Sequence, residues 1–88
     1  MTLEEVERLK AAGKGRKLRK ATKDGNPAVR RAAALALGDL GERATVGELT
    51  GLLTGDADGH VRSAAARALE KIADPAAVPA LAWSLEND

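Results

Sequence analysis

A segment of this chain repeats itself without a gap after 32 residues, and that narrows the possible folds more than any other feature. Writing residues 24–56 above residues 56–88 places Asp24 on Asp56, Val29-Arg30 on Val61-Arg62, Ala32-Ala33-Ala34 on Ala64-Ala65-Ala66 and Ala36-Leu37 on Ala68-Leu69. Leu40 meets Ile72, Ala44 meets Ala76, Val46 meets Val78, Leu49 meets Leu81 and Leu53 meets Leu85. Alanine runs can align by chance, but dispersed Asp, Val-Arg and Leu matches in one register do not. A tandem unit of this length is the signature of stacked supersecondary modules, each too thin to bury its apolar face alone.

Each unit reads as two helices. The first spans about Ala28 to Leu40, with a copy from about His60 to Ile72, because Val29, Ala32, Ala33, Ala36 and Leu40 keep the spacing of one buried helical face. Asp24-Gly25-Asn26-Pro27 forms the lead-in turn, with Asn26 as cap and Pro27 at the first helical position, where a missing N–H costs nothing. Asp56-Ala57-Asp58-Gly59 does the same for the copy. Gly41 ends the first helix in a left-handed conformation, and Asp74-Pro75 opens the last helix. The second helix spans about Ala44 to Thr54, with the stripe Val46, Leu49 and Leu53. Its copy spans about Pro75 to Asn87, with the stripe Val78, Leu81 and Leu85. Residues 1–23 read as a degenerate third pair: Thr2 to Ala12 with Leu3, Val6 and Leu9 on one side, a break at Gly13-Lys14-Gly15, and Arg16 to Lys23 with Leu18 and Ala21 inward. The expectation is one all-α domain over residues 1–88, a short α-solenoid of about six helices in three antiparallel pairs, with repeats at 24–55 and 56–88.

Composition agrees with thin helical layers. There is no Phe or Tyr, and Trp83 is the single aromatic residue, so the core must be Ala, Leu and Val. The chain has no Cys, which removes disulfides, thiolate nucleophiles and Cys-ligated zinc. The longest apolar run, Ala32 to Leu37, is far short of a membrane span. The first ten residues are acidic before they are basic and lack an apolar stretch, unlike a secretory signal, so a cytoplasmic location is expected. The net charge of +1 conceals a strong segregation. Residues 8–23 carry eight basic side chains and no acid, whereas residues 24–88 carry six basic and ten acidic ones.

The pattern D-x-x-x-x-V-R-x-A-A-A-x-A-L-x-x-L/I followed by A-x-V-x-x-L-x-x-x-L resembles the short HEAT-like repeats of the phycobilisome-lyase type. The segment Val6-Glu7-Arg8-Leu9-Lys10-Ala11-Ala12-Gly13 also resembles starting segments of that family. The resemblance covers residues 24–88 well and 1–23 loosely. It implies first helices on a convex side, second helices along a concave side, and a structural polar ladder between repeats formed by Asp24, Arg30, Asp56 and Arg62. It does not fix a function, since such repeats occur in chromophore lyase subunits, an iron-dependent hydroxylase, glycosylase relatives and adaptors. The hydroxylase branch uses His-Glu pairs, and this chain has none.

Little in the sequence points to catalysis. His60 is the only histidine; it falls at a helix start, where a solvated or capping role is ordinary, and no oriented partner is visible for it. No metal, cofactor or catalytic residue is expected, and Gly13-Lys14-Gly15-Arg16-Lys17 lacks phosphate-loop spacing. Two features point to binding. On a helical wheel with Val78 at zero, Leu81 and Leu85 fall within about 60°, whereas Trp83 falls near ~140°. Trp83 therefore lies on or beside the concave surface, opposite the core, at the position equivalent to Gly51 and one turn beyond the equivalent of Gly47. It is read either as an interface residue or as a lid over the carboxyl-terminal end. The helix bearing Arg16, Lys17, Arg19, Lys20 and Lys23 is read either as a basic contact surface or as a solvated cap.

The expected function is a non-catalytic protein-interaction module that takes a partner protein or peptide, an acidic one among the candidates, on its concave surface through Trp83, Arg16, Lys17, Arg19 and Lys20. The alternatives are nucleic-acid binding through the basic helix and, by resemblance alone, a subunit of a chromophore lyase or modification complex. The chain is expected to be a monomer or to self-associate weakly through its carboxyl-terminal end.

Overall fold

The computed structural model describes residues 1–73 and 78–87. Among the described residues six α-helices follow one another: α1 (Leu3–Ala11), α2 (Gly15–Ala21), α3 (Pro27–Leu40), α4 (Val46–Gly55, preceded by a 3₁₀ turn at Arg43–Thr45), α5 (Gly59–Ile72) and α6 (Val78–Asn87). No strand occurs among the described residues. The first helices α1, α3 and α5 pack side by side, and α4 packs against both α5 and α6. The fold is a short all-α solenoid of stacked helix pairs. The expected turn at Asp74-Pro75, the match at Ala76 and the terminal Asp88 lie outside the described residues.

Local chemistry sets the helix ends. Thr2 and Glu5 form a reciprocal cap on α1: the Thr2 hydroxyl accepts from the Glu5 N–H at 3.1 Å, and the Glu5 carboxylate accepts from the Thr2 N–H at 3.2 Å. The Asn26 side chain accepts from the Ala28 N–H at 2.9 Å, with Pro27 in the first turn of α3. Asp58 does the same for α5, accepting from His60 and Val61. Gly41 closes α3 at φ 68°, as expected, and Ala73, one repeat later, closes α5 at φ 54°. Alanine at that point carries a Cβ penalty that glycine avoids.

The core is built from small aliphatic side chains. Leu18, Leu37, Leu49, Leu53 and Leu69 are fully buried with Val6, Val29 and Val61, and each Leu contributes about 1.5–3 kcal/mol by leaving water. Gly38 explains how closely α5 lies on α3: a Cβ at Gly38 would fall 2.7 Å from both Cα and Cβ of Ala68. The α3 stripe is shifted from expectation, since Ala34 and Leu37 are fully buried whereas Ala32 and Leu40 are half-buried. Helix α3 meets helices on several sides, α1, α2 and α5, and so buries more of its circumference than one stripe.

Two expected stripes are corrected. Val6 of α1 is buried, but Leu3 is 51% exposed at the start of the helix. In α6 the stripe copied from α4 faces solvent: Val78 is 60% and Leu85 89% exposed, Leu81 is half-buried, and Ala80 is the buried residue. The cause is positional. Val46, Leu49 and Leu53 of α4 are buried because α5 and α6 lie beyond them, and none of the described helices lies beyond α6.

Candidate functional site

The second-helix layer carries a groove of about 560 Å³ between α2 and α4. Its floor is Gly47, Gly51 and the edge of Leu52, and Arg19, Lys23 and Glu48 stand on its rim. The two glycines occupy one helical face, four residues apart, and a Cβ at either would meet nothing within 4 Å. A second hollow of about 380 Å³ adjoins it, bounded by Arg16, Arg19, Lys20, Lys23 and Glu48.

Glu48 is the one acid on these two rims, and it is already engaged. Arg19 donates to Glu48 Oε1 from Nε at 2.9 Å and from Nη2 at 2.5 Å, joining α2 to α4. Burial pushes the Glu48 carboxyl up, but the hydrogen bonds from Arg19 and from its own backbone N–H, with the positive charges of Arg19 and Lys23, together hold the group below its ordinary value. Glu48 is therefore an anion at neutral pH. Because α2 has no acidic residue and Leu18 and Ala21 are its inward anchors, Arg16, Lys17, Lys20 and Lys23 are left exposed to solvent.

The residues proposed from sequence for partner binding separate into three places. Arg16, Arg19 and Lys20 converge on the smaller hollow, with Arg19 tied to Glu48. Lys17 is exposed but borders neither depression. Trp83 is 44% exposed on α6. It occupies the helical position of Gly51 one repeat later, and its carbonyl accepts from Asn87 Nδ2 at 2.8 Å. It does not line the α2–α4 groove.

The four polar residues that recur with the repeat lie along one seam. Arg30 donates from Nε to Asp56 Oδ2 at 2.8 Å and from Nη2 to Asp56 Oδ1 at 3.2 Å, a two-pronged contact from one repeat to the next. Its Nη1 donates to the carbonyls of Asp24 and Gly25 at 2.8 and 3.1 Å. Arg62 repeats that last contact, donating to the Asp56 carbonyl at 2.9 Å. The Asp24 carboxylate accepts from the Asn26 N–H and from the Met1 amino group. Burial raises the Asp56 carboxyl, yet the hydrogen bonds from Arg30 and the Asp58 N–H, with the positive charges of Arg30 and Arg62, bring it below its ordinary value.

Two features escaped the sequence reading. Asp39 of α3 pairs with Lys10 of α1 at 2.8 Å and with Lys71 of α5, clamping three first helices together. The hydrogen bonds from Lys10 and Lys71 hold its carboxyl at about 2, against an ordinary 3.8. A signal was present, since Asp39 and Lys71 stand one repeat apart with opposite charge. The other feature is a hollow of about 660 Å³ on the first-helix side, where Leu3, Pro27, Ala32 and Leu35 meet Arg31 and His60. Glu7 and Asp58 share that border, so its charges alternate and it favours no sign of ligand. His60 stands there exposed. Among the described residues no three His, Asp or Glu side chains are grouped as a metal site would require, and no helix is long and apolar enough to cross a membrane.

The family of HEAT repeats matches the chain over residues 15–88. No curated protein and no solved structure matches it.

Proposed function

We propose that this chain, which belongs to the family of HEAT repeats, is a non-catalytic binding module whose groove between α2 and α4 takes an acidic segment of a partner protein. One observation carries the reading: every charged side chain around the groove and its adjoining hollow is cationic except Glu48, and Arg19 already occupies Glu48. A carboxylate entering between Lys20 and Lys23 meets positive potential without having to displace an acid. The glycine floor lets a partner's backbone approach α4 closely, and Leu52 supplies a small apolar contact. Trp83, exposed farther along the same layer, extends the footprint for a longer partner. The likeness to repeats of the phycobilisome-lyase type agrees with such a module, and the role of a lyase subunit has only that likeness behind it.

Nucleic acid is the rival ligand for a basic helix. Single-strand recognition relies on aromatic platforms along the basic track, and α2 has no aromatic side chain. The two readings part in one experiment. Immobilised twelve-residue peptides rich in Asp and Glu, each with one Leu, are probed with the full chain beside single- and double-stranded oligonucleotides. Capture by acidic peptides that is lost in K20E/K23E, with an unchanged melting temperature, supports the proposal. Retention by oligonucleotides alone, with a steep loss on adding salt, replaces it.

A further inference from the structure

On the premise that the groove takes an acidic segment, we infer that the hollow adjoining it is the seat of one phosphorylated serine or threonine in that segment, so that phosphorylation of the partner switches tight binding on. Both walls of the hollow lie within the described chain, with α2 and the turn after it on one side and Glu48 of α4 on the other. Four cations, Arg16, Arg19, Lys20 and Lys23, border it against the single acid. Arg19 and Glu48 hold each other, Nε and Nη2 both donating to Glu48 Oε1. Arg16, Lys20 and Lys23 remain, and none of these side chains is hydrogen-bonded or ion-paired to a described residue. Arg16 and Lys20 stand one turn apart on one face of α2, and Lys23 follows in the turn that closes it. Like charges at that spacing repel, so the free fold is less stable for keeping them together. One anion between them removes the repulsion.

The amount of charge selects the group. A carboxylate brings a single negative charge on two oxygens. A phosphate monoester brings about −1.5 to −2 and three strong acceptor oxygens on one centre, which suits three cationic donors around one hollow of about 380 Å³. The neighbouring surface selects the carrier. Apart from Arg19, Lys23 and Glu48, which border both depressions, the groove is lined by the uncharged Thr22, Ala44, Gly47, Gly51 and Leu52. Neither α4 nor α6 carries a Lys or Arg, so the positive charge of the second-helix layer is confined to α2 and its closing turn. A nucleic-acid strand has a phosphate at every nucleotide and would lay the next ones over this neutral floor without a cation to meet them. A peptide has one phosphate and then a neutral backbone, which the glycine floor admits close to α4.

The test uses three labelled twelve-residue peptides, each a frame of Asp, Glu and one Leu whose centre is Ala-phosphoserine, Ala-Ser or Glu-Glu. Each is titrated against the full chain by fluorescence anisotropy. The phosphoserine peptide should bind about tenfold or more tighter than the Glu-Glu peptide, and the Ala-Ser peptide should bind most weakly. Arg16→Gln or Lys20→Gln should bring the phosphoserine to Glu-Glu ratio close to one, with an unchanged melting temperature. Equal affinity for the phosphoserine and Glu-Glu peptides would overturn the inference and leave the acidic-segment reading standing, whereas binding of no peptide would overturn both. A phosphoserine preference that survives both substitutions would also overturn it, because the phosphate would then sit elsewhere. So would displacement of the phosphoserine peptide by an equimolar single-stranded oligonucleotide, which would assign the hollow to nucleic acid.

Discussion

Replacing Gly47 and Gly51 together by alanine should make the protein more stable and the groove less useful. In a helix interior, glycine is about 0.5–1 kcal/mol less favourable than alanine, because the unfolded chain gains freedom and no side chain is added. Steric cost does not offset the gain here, since an added Cβ at either position meets no atom within 4 Å. The pair should therefore contribute about 1–2 kcal/mol, and a domain of this size responds with roughly 4–8 °C in Tm per kcal/mol. The rise should be about 5–15 °C, read by circular dichroism at 222 nm and checked by the urea midpoint. Gly38→Ala is the internal control. Its Cβ would lie 2.7 Å from the Ala68 backbone, so the same substitution in the neighbouring first helix should lower Tm, overpacking costing about 1–3 kcal/mol against a gain of about 1 kcal/mol. A Gly47/Gly51 variant no more stable than the parent would refute the reasoning, because the glycines would then answer to a constraint inside the fold. Gly51→Leu, which fills the groove floor, should keep the fold and lose the acidic peptides.

Three further outcomes follow from the same contacts. Arg30→Ala should lower the urea midpoint, because it leaves the Asp56 carboxylate without its two-pronged partner; Arg30→Lys should recover only part of the loss, having no fork to bridge both oxygens. Ala73→Gly should raise stability by about 1 kcal/mol by removing the left-handed Cβ penalty at φ 54°; a fall would show that the terminus of α5 is not strained. The Asp39 carboxyl is depressed from 3.8 to about 2 in the fold, so the unfolded chain binds the proton first as pH falls. Its contribution is complete above its ordinary value and declines between that value and about 2; Asp39→Asn should flatten the acid limb of the stability curve in that window.

What the sequence made legible was whatever is set within a single repeat unit. The Asn26 cap, Pro27 in the first turn, the Gly41 stop and the stripe of α4 depend on neighbours within one unit, so local pattern sufficed. The α6 stripe was misread because its residues match those of α4 while its surroundings do not: an identical register is buried in one place and bare in the other. Leu35 was overlooked because its counterpart, Arg67, broke the apolar match between the copies. The groove was only half legible. Its basic residues stood out as a charge block, but the capture of Arg19 by Glu48 spans 29 residues that no periodicity relates.

The positions at which the two copies disagree are therefore the informative ones. Gly38 against Glu70 sets a buried contact with Ala68 in one copy against an exposed charge in the other. Asp39 against Lys71 turns a repeated position into an attractive pair between adjacent first helices. Gly51 against Trp83 sets an open floor on α4 beside an exposed indole on α6. Agreement between copies maintains a stackable unit, since a shared core tolerates only side chains that fit both neighbours. Disagreement is tolerated on outer surfaces, or where the two differing residues pair with each other as Asp39 and Lys71 do, and on the surface it can be selected for binding. On that logic, exchanging Trp83 and Gly51 in one double variant should preserve helicity while moving the indole onto the groove floor, so acidic peptides should be excluded. Undiminished capture by that variant would place the binding surface elsewhere on the molecule.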